Sequence, residues 1–232
     1  MLQPTGHGIF LEGEDSQETI SQWNQYLHFE DIYIERKNLN ESNNALRITG
    51  ANVNIQFESC FFQIPYTFNL APSDLGANIF ISSSGIGPQI KPCQISFINC
   101  ASGGGFKQGV YNSFKIENSE NITIENCWFE DVEVAIDVNN SKAINILNSR
   151  FANAAGLGGE NLPVSGANGS CIFSRNSHIT VERNYVLVSD PNNSNIKNHR
   201  FIRAIGENTI NALNNSFSDI RLSETYGIVQ ET

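Results

Sequence analysis

One pattern of apolar and polar positions recurs along the chain. It runs apolar, polar, apolar, two mostly polar residues, a small or polar residue, any residue, then an apolar one. With some departures it occurs at Leu27–Ile34, Ile55–Phe62, Ile95–Ser102, Ile122–Phe129, Ile144–Phe151, Ile179–Val186 and Ile210–Phe217. The starts are separated by about 22 to 40 residues, about 30 on average. A constant unit with elastic spacers marks a solenoid whose coils differ in loop length. A second apolar pair precedes four units: Phe114 and Ile116, Ile136 and Val138, Cys171 and Phe173, Ile202 and Ala204. Alternation of this kind marks strands with one buried face. Each coil therefore reads as strand, short turn, strand, two-residue turn, short strand and a loop of variable length. Stacking of equivalent strands from coil to coil predicts an all-β chain: a single-stranded parallel β-helix of about seven coils with three short parallel sheets. The backbone bonds of such sheets are made between coils, which holds every coil in register.

These units, above all Glu120 to Phe151 (ENITIENCWFEDVEVAIDVNNSKAINILNSRF), resemble the right-handed parallel β-helix repeat of the pectin-lyase-like superfamily and of phage tailspikes. The resemblance covers nearly the whole chain and is carried by core and turn residues, so it speaks to fold more than to activity. It implies one β-helix domain over residues 1–232. Cys60, Cys100 and Cys127 fall at one equivalent position, shared by Ser149, Asn184 and Asn215 in other coils. They read as stacked small residues at a turn, because a free thiol behaves as a small buried hydrophobe. Phe62, Phe129, Phe151 and Phe217 likewise share one position and read as a core aromatic stack.

Long spacers at 62–77, 101–113, 152–170, 187–200 and 218–226 are where function has room to sit. Residues 14–25 (EDSQETISQWNQ) read as a short surface helix capped by Asp15 or Ser16. Gly8–Gly13 reads as a first strand and Tyr226–Gln230 as a last one. With neither end covered, the expectation is that the chain is part of a longer protein or that neighbouring chains cover it. The N-terminal MLQPTGHGIF has no basic region followed by an apolar stretch, so it does not read as a signal peptide.

Composition narrows the partners. Hydrophobic residues make up 40% of the 232 and charged residues only 16%, with Asn, Ser and Thr supplying the polarity. Asn tolerates the left-handed backbone conformation and hydrogen-bonds along stacked turns. A net charge of −10 argues against nucleic acid, whose phosphates need clustered Lys and Arg. It also argues against anionic membranes, and no apolar run is long enough to span a bilayer. Five cysteines without CxxC pairs, and four histidines without HxH or HExxH, give no transition-metal site.

In the resemblance, polysaccharide lies along the first sheet and its flanking loops. The outward residues of the first strands are then Arg47, Lys115, Asp137 and Arg203, with Glu117 beside Lys115. Lys115 and Asp137 should lie about 4.8 Å apart in neighbouring coils. An ion pair is the simpler reading of the two; a catalytic role for Asp137, Glu117 and Lys115 is the sharper one. Asp137 with Glu117 is also the one carboxyl pair that can be placed across a cleft for glycoside hydrolysis. Glu130, Asp131 and Glu133 form the densest acidic stretch and make calcium the one cofactor to consider, although a solvated loop is the simpler reading of them. Gly6–His7–Gly8 matches a polygalacturonase string, but the accompanying acidic motifs are absent and coincidence accounts for it. Trp128 should point outward, where stacking on a sugar is open to it.

The expected function is carbohydrate interaction: a glycan-binding surface or virion adhesin, extracellular and expected as a homotrimer, binding substrate through Arg47, Arg203 and Trp128. A polysaccharide lyase, hydrolase or epimerase is the alternative, and a purely structural stalk is a third reading. The sequence leaves open whether the chain is an enzyme.

Overall fold

The computed structural model describes residues 8–12, 24–35, 44–50, 52–63, 77–83, 92–103, 112–130, 132, 134–152, 170–187, 199–218 and 225–231. All regular structure among them is strand, arranged in three parallel sheets of eight, seven and seven strands. The first sheet contains Ile9–Glu12, Leu46–Thr49, Ala77–Ser82, Asn112–Glu117, Val134–Asn139, Ser170–Arg175, His199–Ile205 and Thr225–Glu231. The second contains Asn24–Glu30, Asn52–Glu58, Cys93–Ile98, Glu120–Glu125, Lys142–Leu147, His178–Glu182 and Thr209–Leu213. Each second-sheet strand turns directly into a three-residue strand of the third sheet: Tyr33–Glu35, Phe61–Gln63, Ala101–Gly103, Trp128–Glu130, Arg150–Ala152, Tyr185–Leu187 and Ser216–Ser218. Every strand pairs with its equivalents in the adjacent coils, the end strands of each sheet on one side only, which is the parallel β-helix expected from the repeat.

The register follows the sequence units residue by residue. Leu27 pairs with Ile55, Ile55 with Ile95, Ile95 with Ile122, Ile122 with Ile144, Ile144 with Ile179 and Ile179 with Ile210. The expected end strands are present as Ile9–Glu12 and Thr225–Glu231. Asn24 and Gln25, the tail of the expected surface helix, instead begin a second-sheet strand; residues 14–23 lie outside the described residues, as do most of the long spacers.

The corners explain the Asn content. Between the second and third sheets each coil turns on one left-handed residue: Asp31, Ser59, Asn99, Asn126, Asn148, Arg183 and Asn214, with φ between 49° and 56°. Between the first and second sheets the same conformation falls on Gly50, Asn118, Asn140, Asn176 and Gly206. Asn is the side-chain-bearing residue that adopts it most readily. Its amide also bonds along the stack, Asn126 to Asn99 and Asn140 to Asn118.

Just inside these corners run two polar ladders. The Ser119 amide donates to Ser141 Oγ, the Ser141 amide to Ser177 Oγ and the Ser177 amide to Asn208 Oδ1, each at 3.1 Å. On the other corner the Cys127 amide donates to Ser149 Oγ at 3.1 Å, Ser149 to Asn184 Oδ1 at 2.8 Å and Asn184 to Asn215 Oδ1 at 2.9 Å. Cys60, Cys100 and Cys127 continue this second ladder, buried and unpaired by disulfide. Within the solenoid an unbroken column of ring contacts joins Phe29, Phe57, Phe97, Phe114, Phe129, Phe151, Phe201 and Phe217. Phe62, Phe129 and Phe151 are fully buried as expected, but Phe217 is 42% exposed. It sits in the last third-sheet strand, which has a neighbour on one side only.

One expectation fails for a definable reason. In the first five coils a left-handed residue (Tyr26, Asn54, Gln94, Asn121, Ala143) bulges out of the second-sheet strand, and the pairing skips it. His178–Glu182 and Thr209–Leu213 have no such bulge. Counting back from Ile179 therefore lands one residue off. Ile172 and Ser174 pair with Ile136 and Val138 and point inward, while Phe173 pairs with Asp137 and faces out. Cys171 remains fully buried.

Ile124 is fully buried between Phe97 and Ile146 in the second sheet. Ile124→Asp places an unpaired charge there, at a cost of several kcal/mol (roughly 4 or more). Loss of the cooperative thermal transition, followed by circular dichroism, is the expected outcome.

Candidate functional site

The outward side chains of the first sheet form one row, set by register: Phe10, Arg47, Phe80, Lys115, Asp137, Phe173, Arg203 and Val229. Arg47, Lys115, Asp137 and Arg203 thus share a row as expected. Phe80 and Phe173 complete it and were not anticipated. Each has two cations against its ring. Arg47 lies 4.8 Å and Lys115 5.6 Å from the Phe80 ring centre. Arg175 and Arg203 lie 4.8 and 5.0 Å from that of Phe173. Two aromatic–cation platforms therefore flank Asp137.

Asp137 itself is 6% exposed. Arg175 donates to its Oδ1 at 2.7 Å and the Asn112 amide to its Oδ2 at 3.1 Å. Lys115 pairs along its own strand with Glu117 at 3.2 Å, so the expected Lys115–Asp137 contact gives way to two separate ion pairs. Burial raises the Asp137 carboxyl above its ordinary value, against the opposing charge and hydrogen bond of Arg175 and the charge of Lys115; Glu117 adds to the rise. A carboxylate clamped in this way anchors neighbouring coils. Glu117, less buried and beside Lys115, is the more accessible acid of the pair. Arg175 and Asn112 were missed because neither lies on the outward row; they reach Asp137 from the flanking positions of neighbouring coils.

The third sheet has its own outward row: Tyr33, Phe61, Ala101, Trp128, Arg150, Tyr185 and Ser216. Trp128 points outward as expected and is 41% exposed. The Arg150 guanidinium lies 4.4 Å from its ring centre and 5.7 Å from that of Tyr185. Tyr33 and Phe61 meet at 5.4 Å. This row was legible in principle, since each member stands immediately after the inward corner residue of its coil.

The remaining candidates resolve one by one. Gly8 fits closely in the first coil: a Cβ there would fall 2.6 Å from the Ala45 carbonyl oxygen, so packing alone demands glycine. His7 lies outside the described residues, as do Asp131 and Glu133 of the acidic stretch, whose remaining member Glu130 is exposed on the third sheet. No group of three or more His, Cys, Asp or Glu among the described residues is placed to hold a metal. Burial pushes the Cys171 and Cys60 thiols upward; they are protonated core groups, not nucleophiles.

Removing one partner of a buried pair leaves the other charge stranded. Arg175→Met should destabilise the fold by about 3 kcal/mol near pH 7, the low end for a buried pair because Arg175 is partly exposed. Asp137 has a raised folded pKa, so its contribution is full below the ordinary carboxyl range and is lost as pH rises through the folded value. Without Arg175 that value moves higher still. The cost of Arg175→Met should therefore shrink as pH falls, which urea denaturation at a series of pH values would show. Comparison of the chain with protein-family models, with curated proteins and with solved structures finds no match.

Proposed function

We propose that this β-helix is a carbohydrate-interacting domain, a glycan-binding adhesin of the tailspike kind working at an extracellular or virion surface, with a homotrimer as the assembly to test. The observation that carries this reading is the outward third-sheet row, in which Trp128 is 41% exposed with one face held by Arg150. A large, half-exposed indole suits the C–H face of a sugar, and a ring already packed on one face has less freedom to lose on binding. The two platforms around Phe80 and Phe173 add aromatic and cationic groups on a second face. Likeness of the repeat to the pectin-lyase-like superfamily supports the same substrate class.

Binding is favoured over cleavage because Asp137 is engaged by Arg175 and Asn112. A general acid needs a proton it can deliver to the substrate. The lyase, hydrolase or epimerase reading would have to rest on Glu117 and Lys115, which neutralise one another.

Purified protein is to be incubated with a panel of bacterial, algal and plant polysaccharides, with calcium and with chelator. Bound fraction and newly formed reducing or unsaturated ends are measured together. Retention of at least one glycan without cleavage is expected, and Trp128→Ala should weaken it about tenfold. Cleavage abolished by Glu117→Gln would establish the enzyme instead, and absence of any binding would leave a structural stalk.

A further inference from the structure

On the outward row of the third sheet, large side chains stand on every coil from Tyr33 to Tyr185 except one. The exception is Ala101, between Phe61 and Trp128. No ring contact joins Phe61 to Trp128 among the described residues, whereas Tyr33 meets Phe61 at 5.4 Å and Arg150 meets Trp128 at 4.4 Å. The single small residue therefore opens a notch across the sheet, walled by Phe61 on one side and Trp128 on the other.

The orientation of Trp128 follows from its partner. Arg150 belongs to the next coil along the solenoid and lies over one face of the indole. The opposite face consequently looks back over Ala101, into the notch. Phe61 and Trp128 are two coil steps apart, about 9.6 Å. A saturated six-membered ring between two aromatic faces needs its carbons about 4 Å from each. The gap accommodates one such ring and not two.

Charge selects among such rings. Among the described residues the only cation on the third-sheet strands is Arg150, and it is engaged on the far face of Trp128. Two residues along the strand from Trp128 stands Glu130, exposed, and Gln63 holds the same place beside Phe61. A carboxylate accepts hydrogen bonds from sugar hydroxyls and repels a uronate or sialate carboxyl. We infer that the notch between Phe61 and Trp128 is a subsite for one uncharged hexopyranose ring of a glycan chain, with Ala101 as its floor and Glu130 at its rim. This rests on the glycan-binding reading and places it on the third sheet rather than along the first.

The test fills the notch without touching its walls. Ala101→Phe continues the aromatic row from Phe61 to Trp128, and cross-strand aromatic neighbours favour a sheet. The variant should melt at the same temperature as the parent or higher. Calorimetric titration with neutral hexasaccharides of β-1,4-linked glucose, mannose and galactose, and with the β-1,4-linked hexamer of galacturonate as the charged comparison, follows. At least one neutral hexasaccharide should bind the parent protein and the galacturonate should not. Ala101→Phe should weaken that binding tenfold or more, and Phe61→Ala, which removes the second wall, should weaken it about tenfold. Full affinity in both variants would overturn the notch and leave glycan binding by the domain standing. Galacturonate binding that depends on Ala101 would overturn the assignment of an uncharged ring. Failure of the parent protein to bind any of the hexasaccharides would overturn the notch. Failure also with the polysaccharide panel would take the glycan reading with it.

Discussion

The fold depends on a single-residue corner. Between the second and third sheets the chain turns at one left-handed residue per coil, which costs an L-amino acid about 1–2 kcal/mol each. What offsets that cost is built into the same corner. The amide of each such residue, from Asp31 through Arg183, donates to a carbonyl of the next coil at 3.0 to 3.1 Å. A corner is therefore satisfied only when the next coil is in place, and each coil depends on its neighbour for the backbone bonds that make its own turn tolerable. This is why the unit in sequence is so constant while the spacers range so widely.

The interior follows from that stacking. Residues immediately after the corner point inward and meet their equivalents one coil step away; Ile32 holds this place in the first coil, and from the second coil on it is taken by residues that are small or able to bond along the axis. The progression from Cys60, Cys100 and Cys127 to Ser149, Asn184 and Asn215 meets both conditions: thiols bond weakly to carbonyls in the earlier coils, and amide–carbonyl ladders take over in the later ones. Behind them the phenylalanine column fills the axis. Its stacked pairs, Phe57 with Phe97 at 5.0 Å and Phe129 with Phe151 at 5.1 Å, are bridged edge-on by Phe114. Outward rows are the by-product of the same register. Wherever the chain places an aromatic or a cation outward, the neighbouring coils present their own equivalents beside it.

The sequence made the seven units visible because period-2 alternation and the corner residue recur together. It made Arg47, Lys115, Asp137 and Arg203 visible as one row because they alternate with core residues. Phe173 was misplaced because the second-sheet bulge at Ala143 has no counterpart before Ile179, and a one-residue deletion in a strand exchanges its two faces. Neither the bulge nor its loss has a residue-type signature: Tyr, Asn, Gln and Ala all occupy it. Arg175 and Asn112 were hidden for a different reason. Contacts that run diagonally between coils depend on side-chain reach, which alternation does not encode. Ala101 was invisible as a feature because a small residue in one coil matters only when the residues stacked above and below it are known.

The claim on which all of this rests is that axial position is set by coil number and not by sequence distance. Spin labels attached in pairs at His28 with Asn145, Thr180 or Asn211, all in one outward row of the second sheet, read this directly. Four, five and six coil steps predict separations of about 19, 24 and 29 Å, rising by about 4.8 Å for each step. Distances by pulsed electron resonance that rise in those equal increments are the predicted result. Separations far outside these values, or that show no order from pair to pair, would contradict the stacked-coil account.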